Sequence, residues 1–163
     1  MEYSISESSG AIRTWIPLPL RIFGTVAGST VAPTVARAHA LVSGSAADAA
    51  AGTGARTVRI YGLDADWNRQ DEEVILDGVT PVNTVGSYLR VFRMRVTSAG
   101  AGGINAGLIT ATAATDATIS AAIAIGVGQT LMAVYSVPAG YTARVSGTWF
   151  GINRSSPADQ TAE

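Results

Sequence analysis

Short segments of alternating apolar and polar residues, separated by turn residues, most restrict what this chain can fold into. The strongest segment covers residues 88–96, and its alternation places Arg90 on one face of a strand and Arg93 and Arg95 on the other. Further candidate strands cover residues 57–61, 73–76, 108–112, 118–125, 130–137 and 142–152. This pattern predicts an all-β protein, a β-sandwich or jelly-roll-like barrel of short antiparallel strands.

Two alanine-rich segments also fit helical turns. Residues 120–125 could form a buried helical turn instead of a strand, although Gly126 and Gly128 follow closely. Residues 46–51 could form another turn of helix, which Gly52 would end. Asp77-Gly78 is a predicted tight turn, and residues 138–141 are predicted to join the last two strands as a hairpin.

The N-terminal third differs from the rest of the chain. Residues 1–55 are predicted to form an extended N-terminal arm and linker, because prolines interrupt any helix or central strand there. Within the arm, a short apolar patch between polar ends is a candidate for docking on a partner; it includes Trp15, Ile16, Leu18 and Phe23. Residues 56–152 are the predicted β domain, and residues 153–163 a polar C-terminal tail.

Composition argues against several classes of function. The chain has no Cys, which rules out disulfides and thiolate metal sites. Its 11 basic residues are all Arg and the net charge is −1, which disfavours nucleic-acid binding. No stretch approaches the roughly 20 apolar residues of a membrane helix, and the acidic start is unlike a signal peptide. We therefore expect no nucleic-acid partner, no membrane association and no cofactor.

Several candidate sites are weak on the sequence alone. The Asp64-Ala-Asp66-Trp-Asn68 segment begins like a calcium loop, but it lacks the glycine and glutamate that an EF-hand needs later, so a polar turn with capping carboxylates is favoured. Residues 71–73 form an acidic run that resembles solvated charge more than a glycosidase pair. His39 has no catalytic partner nearby in sequence and is expected on the surface or in the arm. No catalytic or metal residue is predicted.

Arginines and aromatics supply the remaining candidates. Arg90, Arg93 and Arg95 lie close together on one strand and could bind an acidic partner surface, or pair within the domain with Asp64, Asp66 or Glu72. A sugar-stacking platform could in principle form from Tyr61, Trp67, Tyr141 and Trp149. Such aromatics more often fill a core or an interface.

A series of short segments between residues 46 and 152 resembles a family of bacteriophage virion proteins, found in tailed phages of marine and environmental origin. In order, these are Asp48–Val58, Gly62–Asn68, the strand at Glu73, Leu76–Gly78, Thr84–Arg93, Asn105–Gly107, Gly128–Met132 and Val137–Gly140. Their order and spacing carry the resemblance, with Tyr88–Arg93 the most distinctive.

The resemblance implies a structural role in the virion and no enzymatic activity. Within that role, the first expectation is a capsid decoration (cement) protein, bound to the major capsid protein or other virion proteins and forming homo-oligomers. A tail, collar or head-fibre component is the alternative within the virion. A glycan-binding β-sandwich module is the alternative from another class.

Overall fold

A computed structural model describes residues 32–132, 136–137, 142 and 144 of the 163-residue chain. The described residues form seven strands: β1 (His39–Ser43), β2 (Ala55–Leu63), β3 (Arg69–Ile75), β4 (Val82–Asn83), β5 (Arg90–Ala99), β6 (Ile109–Ala113) and β7 (Ile119–Ile123). They contain no helix, so residues 46–51 form turns and residues 119–123 form a strand. The all-β prediction is confirmed, and among these residues no helix is present that could cross a membrane.

The strands form two antiparallel sheets that pack on each other as a β-sandwich. One sheet has the strand order β4-β1-β6-β7, and the other has the order β3-β2-β5. Their facing sides share one apolar core. The four-stranded sheet contributes Leu41, Ile109 and Ile123, and the three-stranded sheet contributes Val58, Ile60 and Met94, all fully buried. Each such side chain stabilises the fold by about 1.5–3 kcal/mol.

Sequence alternation translates directly into packing in β2. Val58 and Ile60 point into the core, whereas Arg59 and Tyr61 lie half-buried on the other side of the sheet. The Asp77-Gly78 turn also forms as predicted. The Thr80 amide donates to the Asp77 carbonyl at 3.0 Å, and Gly78 adopts a φ of +60°, which glycine accommodates without steric cost.

The predicted linker is wrong for residues 39–55. β1 lies inside the four-stranded sheet, paired with β4 on one side and with β6 on the other. The sequence hid this strand because two of its three inward positions are polar, His39 and Ser43, with only Leu41 apolar between them. The β domain therefore includes β1, and a truncation to residue 45 would remove a central strand.

The pairings of β2 with β5 and of β6 with β7 contain four register shifts, and two of these β-bulges decide the faces on which Arg90 and Ser120 lie. On β5 the register with β2 pairs Tyr61 with Arg93 and Gly62 with Val91, so Phe92 is an extra residue. On β7 the register with β6 skips Ser120 in the same way. Neither bulge could be predicted from the sequence, because a prediction from alternation assumes that side chains change face at every residue.

The N-terminal arm, the hairpin and the tail fall largely outside the described residues. The apolar patch in residues 15–23, most of the strands predicted at 130–137 and 142–152, and the tail at 153–163 belong to that part. At the start of the predicted hairpin, Thr130 is described. Its amide donates to the Met94 carbonyl at 2.9 Å, which places residues 128–130 along the edge of β5.

Candidate functional site

The three arginines chosen from the sequence lie on one face of the three-stranded sheet. Arg90, Arg93 and Arg95 pair in register with Leu63, Tyr61 and Arg59, the residues of β2 that point away from the core. The expectation that Arg90 lies opposite the other two is wrong, because the bulge at Phe92 reverses the alternation. We call this solvent-side surface of β3, β2 and β5 the outer face.

Arg90 is nevertheless used within the fold. Its side chain is buried, and one guanidinium nitrogen donates to the carbonyls of Pro33 at 3.0 Å and Leu89 at 2.7 Å. The guanidinium carbon also lies 5.5 Å from the centre of the Trp67 ring, a cation–π distance. Burial lowers the pKa of Arg90 from its usual value, but an arginine remains charged at neutral pH. Arg90 therefore anchors the chain at Pro33 and offers no exposed charge to a partner.

Arg93 and Arg95 are exposed on β5. The Arg93 guanidinium donates to the Gln129 side chain at 3.0 Å, which links β5 to the segment after β7. Both arginines line an open groove of about 360 Å³. Hydroxyl and amide groups of Thr97, Ser98 and Gln129 also line this groove, together with Val96, Ile104 and Val127.

Acidic residues occupy the opposite edge of the outer face. Asp71 and Glu73 on β3 both lie near the Arg59 guanidinium, at 3.6 Å and 3.8 Å. All three side chains are more than 40% exposed, so each ion pair contributes about 1 kcal/mol or less.

The predicted pairing of the β5 arginines with Asp64, Asp66 or Glu72 is not seen among the described residues. The Glu72 carboxylate instead accepts the amides of Val85 and Gly86, at 3.1 Å and 3.2 Å. The acidic side chains that lie on the outer face are those of Asp71 and Glu73, and they pair with Arg59 on the central strand. The arginine alternative that remains from the sequence is contact with a partner.

Two charged rows of mixed sign thus cross the three strands of the outer face. In the first row Asp71, Tyr61 and Arg93 are side by side, and in the second row Glu73, Arg59 and Arg95 are side by side. Each row is acidic on β3 and basic on β5. Arg59 and Arg95 are direct cross-strand neighbours of like charge, an arrangement that is unfavourable without an anion nearby.

The Asp64 loop forms a polar turn. One carboxylate oxygen of Asp64 accepts the backbone amides of Asp66 and Asn68, both at 2.9 Å, and Trp67 adopts a φ of +65° at the tip. This agrees with the capping alternative given by the sequence. In the described part of the chain, no three metal-binding side chains lie close enough together to hold an ion.

His39 is fully buried, so the expectation of a surface histidine is wrong. One ring nitrogen lies 2.9 Å from the Arg37 carbonyl, and the other lies 2.8 Å from the Ser120 hydroxyl. The bulge on β7 turns Ser120 toward the ring. Burial lowers the pKa of His39 and outweighs the opposing effects of the Arg37 carbonyl and the Asp116 charge, so the ring is neutral at pH 7.

This His–Ser pair resembles part of a hydrolase triad in composition but not in setting. Ser120 is only 5% exposed, and the third partner is a backbone carbonyl rather than a carboxylate. The nearby carboxylate of Asp116 pairs with Arg37 at 3.2 Å. The pair satisfies two buried polar groups between the sheets, a structural role. Sequence reasoning missed Ser120; its only signal was a hydroxyl inside an apolar strand.

A buried carboxylate holds the loop before β2. Asp48 is fully buried and accepts four hydrogen bonds, from the Ser43 hydroxyl at 2.6 Å and from the amides of Ala55, Ala106 and Gly107 at 2.7–2.8 Å. Burial alone would raise the pKa of Asp48, but these four donors favour the charged form and lower it. Asp48 therefore ties two distant loops to the end of β1.

Asn105 completes this second polar cluster. Its amide nitrogen donates to the carbonyls of Gly107 at 2.7 Å and Ala124 at 2.9 Å, and its oxygen accepts the Gly128 amide at 2.9 Å. The segments Asp48–Val58, Asn105–Gly107 and Gly128–Met132, which contribute to the resemblance described above, therefore meet in space. They are joined by hydrogen bonds of the fold.

Two of the four aromatics of the predicted platform belong to the described residues. Trp67 packs over Arg90 and Tyr61 lies in the first charged row, while Tyr141 and Trp149 are outside the described residues. Trp67 is half-buried, and the Arg90 guanidinium lies over its ring.

Comparison with protein-family models, with curated proteins and with solved structures gave no match to this chain. The resemblance to phage virion proteins therefore stays a prediction from the sequence.

Proposed function

We propose that this chain is a non-enzymatic structural protein of a bacteriophage virion, a decoration (cement) protein that binds the major capsid protein. The observation that supports this best is how the sandwich uses its polar residues. The buried groups that could do chemistry, Asp48, His39 and Ser120, are all hydrogen-bonded within the fold. The exposed Arg93 and Arg95 form a surface suited to protein contacts.

In this proposal the apolar patch of the N-terminal arm makes the contact with the capsid. Trp15, Ile16, Leu18 and Phe23 are large apolar residues that precede the sandwich in the sequence, and the sandwich has an apolar core of its own. Ordering an extended segment costs about 1–2 kcal/mol per residue, and burying each large apolar side chain returns about 1.5–3 kcal/mol. Burial of several of these side chains against the capsid is thus required for attachment.

Attachment can be tested by co-sedimentation of the full-length chain with capsids stripped of it. The variant W15S/F23S loses two large contacts and is expected to bind at least about 100-fold more weakly, since about 1.4 kcal/mol corresponds to a tenfold change. The control V85S/I125S removes apolar side chains that are 96% and 67% exposed on the sandwich, and it should bind like the wild type. Equal binding by W15S/F23S and the wild type would contradict the assignment of the arm.

Copy number and activity test the rest of the proposal. A decoration protein should be present in purified particles at a number close to that of the major capsid protein, whereas a tail, collar or fibre component should be far rarer. Quantitative staining of purified virions measures this ratio. Turnover of esters, glycans or peptidoglycan by the purified chain, abolished by a single side-chain change, would disprove the non-enzymatic role.

A further inference from the structure

We propose that the outer face is a self-complementary contact surface, which pairs with the same face of a second copy of this chain. The two charged rows each place a carboxylate on β3 and an arginine on β5, at opposite edges of one sheet. Such a face matches itself when one copy is turned so that the acidic edge of each covers the basic edge of the other. The occupant of the face is therefore a second copy.

The strand register fixes how the two copies meet. A two-fold axis parallel to β2, lying between the two faces, places β3 of each copy over β5 of the other. Asp71 is level with Arg93 across the sheet, and Glu73 is level with Arg95. Rotation about this axis keeps each residue at its height along the strands. Asp71 of each copy therefore faces Arg93 of the other, and Glu73 faces Arg95.

This pairing removes an imbalance that is present in a single copy. Arg59 lies near both carboxylates of β3, while Arg95 has Arg59 as its cross-strand neighbour. Carboxylates from a second copy bring negative charge to Arg93 and Arg95. The charge of Arg59, which lies near the axis, stays compensated by its own Asp71 and Glu73, at 3.6 Å and 3.8 Å.

The contact is limited in extent, which predicts a weak pair. The next row beyond Tyr61 is Arg69–Leu63–Arg90, which has no acidic member. The complementary part of the face therefore ends before Leu63. Three strands about 4.8 Å apart and seven residues long at about 3.3 Å each give a face of roughly 300 Å². Stable complexes bury about 800 Å² per partner. Copies held side by side on a common surface would pair more strongly through their high local concentration.

The test uses the free, full-length chain and measures its mass by sedimentation velocity at protein concentrations up to about 1 mM. We expect a monomer–dimer equilibrium whose dissociation constant rises at least about tenfold between about 50 mM and about 500 mM NaCl, because the contacts are charged and exposed. The reversals R93E/R95E and D71R/E73R should each abolish the dimer. The control D66R/D77R reverses two exposed carboxylates outside the two rows and should leave it unchanged.

Mixing the two reversed variants gives the decisive result. R93E/R95E is acidic on both edges and D71R/E73R is basic on both, so an equimolar mixture should form a heterodimer, although neither variant pairs with itself. Circular dichroism establishes that each variant is folded. A wild type that stays monomeric, a mixture that fails to associate, or equal loss in D66R/D77R would each overturn the proposal.

An acidic partner of another kind would also be recognised by this test. Monomeric wild type that binds a glutamate-rich peptide through Arg93 and Arg95 would assign the arginines to a different protein and refute the paired copies. Capsid attachment is tested independently, because W15S/F23S leaves the outer face intact. Failure of either proposal is thus separable from failure of the other.

Discussion

Replacing Asp48 with asparagine should destabilise the sandwich strongly, although the two side chains are almost the same size. In the native protein each carboxylate oxygen accepts two hydrogen bonds: one from Ala55 and Ala106, the other from Gly107 and the Ser43 hydroxyl. Asparagine keeps one acceptor oxygen and puts an NH₂ donor where the other oxygen stood. The NH₂ group fits best beside Ser43, because the hydroxyl can turn and accept from it. The buried Gly107 amide on that side then faces a donor and loses its acceptor.

The magnitude follows from the number of unpaired groups. A buried donor left without an acceptor costs about 1–3 kcal/mol, and the Gly107 amide is one such donor in Asp48→Asn. The whole free energy of unfolding of a domain is usually about 5–15 kcal/mol. Asp48→Asn therefore removes a large fraction of the stability without removing any apolar contact. Asp48→Ala, which leaves all four donors unpaired, is expected to prevent folding.

The same carboxylate gives the stability a defined pH dependence. The pKa of Asp48 is lower in the folded protein than its ordinary value of 3.8, so the unfolded chain binds the proton more readily. Its contribution is therefore complete above the unfolded pKa and is lost as pH falls from there through the lowered folded pKa. Asp48→Asn lacks this titration, so its stability should fall less steeply than that of the wild type over the same acid range.

Urea denaturation followed by circular dichroism measures both effects. At pH 7 the midpoint of Asp48→Asn should shift well below that of the wild type, with an unchanged slope. Asp77→Asn, which alters an exposed carboxylate in the turn at Gly78, is the matched control and should shift the midpoint little. If the two variants unfold at the same urea concentration, the four hydrogen bonds of Asp48 do not hold these loops together.

Two further predictions test other parts of the interior. The folded pKa of His39 lies below its ordinary value of 6.5, so wild-type stability should decline as pH falls from about 7 through 6.5 to the lowered pKa. Denaturation across this pH range should show a smaller decline in the stability of His39→Gln. An equal decline of stability with pH in both proteins would contradict the buried neutral ring. Gly107→Ala would place a methyl group 2.5 Å from both the Ser43 hydroxyl and the Ser45 amide, so its thermal midpoint should fall strongly. The control Gly103→Ala has open space around the new methyl group and carries only the roughly 1 kcal/mol strain of a φ of +72°, so its midpoint should fall far less. Similar midpoints for the two variants would show that the turn at Gly107 is not closely packed.

β2 was predictable because its pattern reflects a single cause, whereas β3 begins at Arg69, four residues before the strand predicted at 73–76. In β2 one face is apolar and the other polar, so alternation alone identifies the strand and its buried side. The turn at Gly78 was readable for an equally local reason, since Asp-Gly favours a tight turn. β1 was missed because its inward positions include His39 and Ser43, which are buried through hydrogen bonds rather than through apolarity.

The polar clusters could not be predicted, because each joins residues that are distant along the chain. Asp48 meets Ala106 58 positions away, and His39 meets Ser120 81 positions away. A polar residue inside an apolar segment shows only that it needs a partner. Which partner it finds depends on strand order and on the bulge that turns Ser120 inward.

The outer face illustrates how much the register adds to the sequence. The sequence showed three arginines close together on one strand, but its alternation placed Arg90 on the opposite face from the other two. In the structure all three lie on one face, and Arg90 is buried there. The charges that surround Arg93 and Arg95 come from the neighbouring strands. The positions of Asp71 and Glu73 on β3, level with Arg93 and Arg95, convert a basic edge into one half of a two-signed face. A face with both signs of charge favours one orientation of a second copy, because the opposite orientation would place like charges against each other.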